Sequence, residues 1–250
     1  MDLDGTVHLA FPNLLVDRER LPPPARKPTL RRSFDPFADR SSLVVRGLLE
    51  SQGDRVWGVR ELAEAAGVGP ATVSRVIGEL RRFQVVEVSR VGRDSRIRLT
   101  DPHALFALWT SAYDWMKNQR IAVHAPMGDP IRFLRRSKKA FGRHRWALTL
   151  QAGASLVAPH ATWERVHVYV DVGTAEQLTE LAQQEGWTAA EDGKLVLMKP
   201  YYRDSVWHGM QVADGLPVVS NLQLALDLWN YPLRGREQAE HLIDTLDLLR

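Results

Sequence analysis

Residues 56–100 read VWGVRELAEAAGVGPATVSRVIGELRRFQVVEVSRVGRDSRIRLT. Val59, Leu62, Ala63 and Ala66 recur at the three-and-four spacing of an amphipathic helix. Gly67 ends that helix and Val68-Gly69 turns a tight corner. Pro70 suits the first position of the next helix, where its missing N–H has no intrahelical partner to lose. Val73, Val76, Ile77 and Leu80 form the buried stripe of this second helix, which leaves Thr72, Ser74, Arg75, Glu79 and Arg82 outside. After Phe83 the period changes to strand-like alternation in 85–89 and 96–100, with 91–95 as a Gly-containing hairpin tip. Two short helices across a tight corner followed by a hairpin predict a winged helix-turn-helix.

Such a helix brings its first turn to base edges while its N–H groups meet phosphate oxygens, so short hydroxyls and an arginine there suit a major groove. Thr72, Ser74, Arg75 and Arg82 are the expected recognition-helix contacts. Arg90, Arg93, Arg96 and Arg98 of the hairpin are the expected wing contacts to phosphate or a minor groove. An arginine hairpin alone is as readily a solvated face. Attached to this helix pair, it reads as part of a DNA-binding surface.

Charge along the chain supports the placement. The first 145 residues carry 26 Lys and Arg against 16 Asp and Glu, while residues 146–250 carry seven against 14. A basic front attracts polyanions and an acidic back repels them, so double-stranded DNA is expected on the first 145 residues. No apolar run approaches the roughly 20 residues of a membrane span, so no membrane association is expected. The absence of cysteine fits a reducing, cytoplasmic setting and removes thiolate metal sites.

Upstream, residues 1–40 form a Pro-rich leader, read as extended or partly disordered. Its Asp2-Leu3-Asp4-Gly5-Thr6 matches the DxDGT motif of haloacid-dehalogenase-type phosphatases. There the motif caps a buried strand; only Met1 precedes it here, and no phosphatase is expected. Phe34 and Phe37 are candidates to dock on the downstream domain. The winged helix spans 41–100, its first helix opening near Asp39–Ser42 with Val56-Trp57 as a short strand. Residues 101–145 are read as a bridging helix and a basic segment. Asp101-Pro102 opens a helix carrying Leu105, Phe106, Leu108, Trp109, Ala112, Tyr113 and Met116 nearly all round, either a bridge packed between two domains or the interface of a homodimer. In the basic segment Arg132, Arg135, Arg136, Lys138 and Lys139 are expected second contacts to the DNA backbone, with a polar surface helix as the alternative.

From Trp146 the pattern alternates helix and strand: a small-residue helix over 146–159, a strand over 165–172 alternating Val166, Val168 and Val170 with His167, Tyr169 and Asp171, a helix over 175–184, strands over 194–198 and 217–219, and closing helices over 220–229 and 236–249. The fold class expected is α+β, an N-terminal winged helix-turn-helix followed by a mixed α/β domain over 146–250.

The runs WALTLQAGASLVAP, VHVYV, LVLMKPYYRDSVWHG and DGLPVVSNLQLALDLWNYPLRGREQAEHLID, behind a winged helix, resemble the AbiEi-type antitoxins of type IV toxin–antitoxin systems. The resemblance covers most of residues 41–250 and is most specific over 217–240. It implies a sequence-specific DNA-binding transcriptional regulator that represses its own operon, with a C-terminal domain that neutralises a cognate nucleotidyltransferase-like toxin. The long leader departs from the family's usual start near the winged helix.

No enzyme and no cofactor are expected. Gly153-Ala154-Ser155 faintly resembles the opening of nucleotidyltransferases, but those need two carboxylates one residue apart to hold Mg²⁺, and residues 156–159 carry no acid. His124, His144, His160, His167 and His208 show no metal-ligand spacing. The alternative class is a one-component regulator whose C-terminal domain senses a small molecule, with Trp187, Tyr201, Tyr202 and Trp207 as pocket walls.

Overall fold

The structure, a computed structural model, describes residues 7–11, 14–18, 34–51, 55–92, 94–142, 144–160 and 162–250. The chain divides after Phe34 into two units. In the first, β1 (Val7–Phe11) and β2 (Leu14–Arg18) pair antiparallel with Val7 opposite Arg18. These ten residues of the leader are extended and paired, as their two β-prone runs allow. The Asp2–Thr6 motif and the Pro22–Pro24 run lie outside the described residues.

The second unit, Asp35–Arg250, begins upstream of the expected boundary at 41. Phe37 is buried and its carbonyl accepts from the Tyr202 hydroxyl; the Asp39 carboxylate accepts from the Asp204 and Ser205 N–H groups at 3.0 and 2.8 Å. The winged helix then comes in order: α1 (Ser42–Leu49), β3 (Val56–Gly58), α2 (Val59–Ala65), α3 (Pro70–Arg82), β4 (Val86–Val91) and β5 (Asp94–Leu99). Its sheet has the order β3-β5-β4, and Trp57 and Val88 flank Ile97 on the buried face.

Next, α4 (Pro102–Ala112) is capped by Asp101, whose carboxylate accepts from the Ala104 N–H at 2.8 Å. It stops before Tyr113, because Asp114 caps a new 3-10 turn, and Met116 is therefore 53% exposed rather than part of the helix. Trp109 lies under the Arg46 guanidinium of α1, 5.0 Å from its carbon, and Phe106 meets Trp229 edge-on at 5.1 Å.

The remaining elements are β6 (Gln119–His124), α5 (Pro130–Arg136), β7 (Trp146–Thr149), α6 (Leu150–Ser155), β8 (Val166–Val170), α7 (Glu176–Gln184), β9 (Thr188–Ala189), β10 (Leu195–Lys199), β11 (Gln211–Ala213), β12 (Leu216–Val218), α8 (Asn221–Trp229) and α9 (Gly235–Leu246). They build a seven-stranded mixed sheet in the order β11-β12-β7-β8-β10-β6-β9, with β8 and β10 parallel and joined through α7. Among the described residues no helix is long and apolar enough to cross a membrane.

Three expectations change here. The α/β layer starts before 146, because β6 pairs with β10 from inside the basic segment. The run from Trp146 is a strand before it is a helix: its four residues are buried between β12 and β8, and a short apolar run gives no period that separates strand from helix. The strand at 166–170, read as alternating, is buried at all five positions, His167 and Tyr169 included, as befits a central strand covered on both sides.

At the centre lies a fully buried polar cluster. Asp227 of α8 accepts from the Tyr113, Tyr169 and Thr149 hydroxyls at 2.5, 3.1 and 2.5 Å and from the Gln223 amide at 2.7 Å. The Gln223 carbonyl accepts from Arg46, which is itself fully buried. Burial holds the Asp227 carboxyl above the usual carboxylate range despite these donors, and lowers the Arg46 guanidinium from its usual value. Replacing Asp227 by Ala leaves the Tyr113, Tyr169 and Thr149 hydroxyls and the Gln223 amide without their shared acceptor and removes a carboxyl near buried Arg46, and is expected to cost about 3–5 kcal/mol in urea unfolding. A loss below about 1 kcal/mol would show the cluster to be incidental.

His167 offers a pH signature. Burial, then the nearby arginines Arg165 and Arg120, pushes its pKa down to about 4. Neutral His167 therefore stabilises the fold fully above its unfolded value near 6.5. That contribution, about 3 kcal/mol, is lost as pH falls from there towards 4. His167→Leu should flatten this part of the acid limb; a wild-type to variant difference that stays constant between pH 7.5 and 5 would assign the limb to other groups.

Candidate nucleic-acid interface

The recognition helix α3 starts at Pro70 after an extended Gly69, and buries Val73, Val76, Ile77 and Leu80, the stripe expected from spacing. Ser74, Arg75 and Arg82 are exposed and Thr72 is half-exposed. Arg82 donates to the Glu79 carboxylate at 3.3 Å, which engages its guanidinium in a surface ion pair. Two residues missed in the sequence belong to the same outward face. Ala71 and Gly78 are exposed, at helical spacing from Ser74 and Arg75, and a Cβ on Gly78 would meet nothing within 4 Å. The packing does not require glycine there, so the effect of Ala71, Ser74 and Gly78 is a flat helix face from which Arg75 projects.

The wing separates the arginines that the sequence grouped. Arg96 and Arg98 stand on the outward face of β5, opposite Ser89 and Glu87, and Arg98 donates to Glu87 at 2.9 Å. Arg90 pairs in register with Ser95, and strand alternation places it on the opposite face from Arg96 and Arg98. The period-2 pattern carried that distinction; reading the arginines by count alone hid it. Arg93 lies outside the described residues.

Between the starts of α2 and α3 and the wing strand lies a cleft of about 610 Å³, lined by Arg60, Glu61, Pro70, Asp94, Ser95 and Arg96. Glu61 accepts from the Gly58 N–H at 3.2 Å and from Arg55 at 2.8 Å, and these, Arg55 foremost, hold its carboxyl below the usual carboxylate range. The Arg55 guanidinium also stacks on Trp57, 3.6 Å from the ring centre. Glu61 is engaged first by Arg55 and also feels the Arg96 charge, so Arg60 and Arg96 line the cleft beside Asp94 and a carboxylate that is already shared. Arg60 was invisible to sequence reasoning because it looks like any solvent-side residue of α2, until the fold turns that helix start towards the wing.

The basic segment sits on the other sheet. Asp129 caps α5, accepting from the Arg132 N–H at 3.1 Å, and Phe133 packs 5.8 Å from Trp187. Arg132, Arg136, Lys138 and Lys139 are exposed. Arg135 is also exposed, but it forms an ion pair with Asp214 in the β11–β12 turn. The suggested pocket walls are mostly core: Trp187 joins Phe133 and Phe141, while Tyr201 and Tyr202 pack with Tyr113 in a separate cluster.

Residues 45–108 match the family model of the Crp-like helix-turn-helix domain. Residues 98–247 match the model described as transcriptional regulator, AbiEi antitoxin, type IV TA system. No curated protein and no solved structure matches the chain. With a helix-turn-helix domain at its front and the second match spanning more than half of its length, the chain is a DNA-binding transcriptional regulator and belongs to the AbiEi antitoxin family of type IV toxin–antitoxin systems.

Proposed function

We propose that the chain represses its own operon by binding a specific duplex upstream of its gene, and that its C-terminal region serves as the antitoxin towards a cognate toxin. The observation that carries the DNA reading is the flat outward face of α3, with Arg75 beside small residues, set next to the arginine cleft of the wing. Small side chains let the helix backbone approach base edges, and Arg75 then reaches a purine edge while Ser74 and Thr72 bond phosphate or base. Arg96 and Arg60 supply cationic contacts to the flanking backbone. A repressor placed on the upstream duplex competes with transcription by occupancy. The antitoxin part rests on the family match over 98–247.

Salt-titrated binding to the upstream duplex and to random duplex tests the reading. Arg75→Ala should relax discrimination at one base pair by about 1–3 kcal/mol, and Arg96→Ala should weaken both duplexes alike and lower the salt slope by about one. Equal affinity for the two duplexes in the parent protein would remove the repressor reading.

The basic residues of α5 and of the turn that follows it form a second, separable contact to the DNA backbone in this proposal. Neutralising Arg132, Arg136, Lys138 and Lys139 together should flatten the salt dependence further, whereas Arg135→Gln should change it less because Asp214 already neutralises that charge. An unchanged slope in the fourfold variant would confine the footprint to the winged helix.

A further inference from the structure

Arg46 lies on α1 of the winged helix, yet none of it is exposed. α1 packs on α2 and α3, where a Cβ on the neighbouring Gly47 would lie only 3.2 Å from Leu62. The Arg46 side chain reaches into the C-terminal region instead. One terminal nitrogen donates to Ser220 Oγ at 3.3 Å, the other donates to Gln223 Oε1, and the guanidinium is stacked on Trp109. Gln223 then donates to Asp227 at 2.7 Å. Arg46 belongs to the stretch matched by the helix-turn-helix family, while Ser220, Gln223 and Asp227 belong to the stretch matched by the antitoxin family.

From these contacts we infer that Arg46 is a positioning residue for DNA binding: it fixes the orientation of the recognition helix relative to the seven-stranded sheet, and thereby couples what the C-terminal region binds to what the winged helix reads. This rests on the DNA-binding reading above.

The cause is the kind of contact made. Two apolar surfaces can slide by a few ångströms at small cost, but a buried guanidinium must keep its planar fork on its acceptors. The contacts around it reach the stretch 202–208 rather than the start of α8, among them the Asp39 carboxylate accepting from the Asp204 and Ser205 N–H groups. Ser42 Oγ meets Ser205 Oγ at 3.1 Å, and the His208–Glu50 and Arg40–Asp204 pairs are partly exposed. Ser220 both caps α8, accepting from the Gln223 N–H at 3.2 Å, and accepts from Arg46. A partner that tilts α8 therefore disturbs both acceptors of Arg46 together, and the junction responds as a docked or undocked pair.

The chain contains no cysteine, so Glu64→Cys on α2 and Glu180→Cys on α7, both exposed, give a clean pair of spin-label sites. The labelled parent should show one narrow distance. Arg46→Met should broaden it while the circular dichroism of the sheet and helices persists, and should lower the preference for upstream over random duplex by about 10-fold, within the usual range of couplings between sites. Arg46→Lys keeps the charge but not the fork and should fall between. If Arg46→Met does not fold, the pair Arg46→Met with Asp227→Asn, which removes both charges, takes its place. A folded variant with an unchanged narrow distance, or a broadened distance with unchanged preference, overturns the inference. A parent that does not prefer the upstream duplex overturns the repressor reading instead, and the coupling with it.

Discussion

The buried guanidinium of Arg46 sets demands that organise much of the fold. A fully buried cation needs a stack, a set of acceptors and a counter-charge: Trp109 comes from α4, Ser220 and Gln223 from the start of α8, and negative charge from Glu50 at the end of α1 and, further off, from Asp227 one turn beyond Gln223. The requirement propagates. Asp227, once buried, needs donors, which Tyr113, Tyr169 and Thr149 supply from the end of α4, from β8 and from β7. Asn118 in turn donates to the Tyr169 hydroxyl at 3.0 Å. One buried charge thus ties the first helix of the winged domain to two central strands of the other sheet, and leaves α1 buried on nearly every side.

The surface expected to meet DNA is built on the opposite logic. On α3 the informative features are what is small or absent, because Ala71, Ser74 and Gly78 leave the helix face open and make Arg75 its projection. Arginines elsewhere are distinguished by their partners. Arg98, Arg82 and Arg135 each face a carboxylate, on Glu87, Glu79 and Asp214, whereas Arg60 and Arg96 line the cleft where the carboxylate of Glu61 is already engaged by Arg55. An ion pair lowers the field a side chain offers to a phosphate, so counting arginines overstates the charge available and locating them corrects it.

Much of the winged helix was legible in the sequence because its signals are local. The Gly67–Pro70 corner, the stripe Val73, Val76, Ile77 and Leu80, and the switch to alternation after Phe83 each lie within a few residues, and the structure places all three as read. The family resemblance over 41–250 was also readable, and the family match over 98–247 agrees with it. What failed were the judgements that needed to know what covers a segment. Trp146–Thr149 has no period because both of its faces are buried, and β6 hides in a basic stretch because its apolar residues are only Ile121, Ala122 and Val123, too short a run to show a period.

Sequence alone therefore carried the helix–corner–helix–hairpin order, the α+β class, the basic front and acidic back, and the family, since these depend on spacing, composition and motif. Tertiary contacts were needed to establish that Arg46 is buried, that Arg90 and Arg96 stand on opposite faces of the wing, that Arg60 joins the cleft, and that the sheet begins at β6. The longest of these contacts joins residues 177 positions apart, Arg46 and Gln223. A periodic pattern records that a position is apolar or polar. It does not record which distant group will meet it, because that is set only when the chain closes on itself.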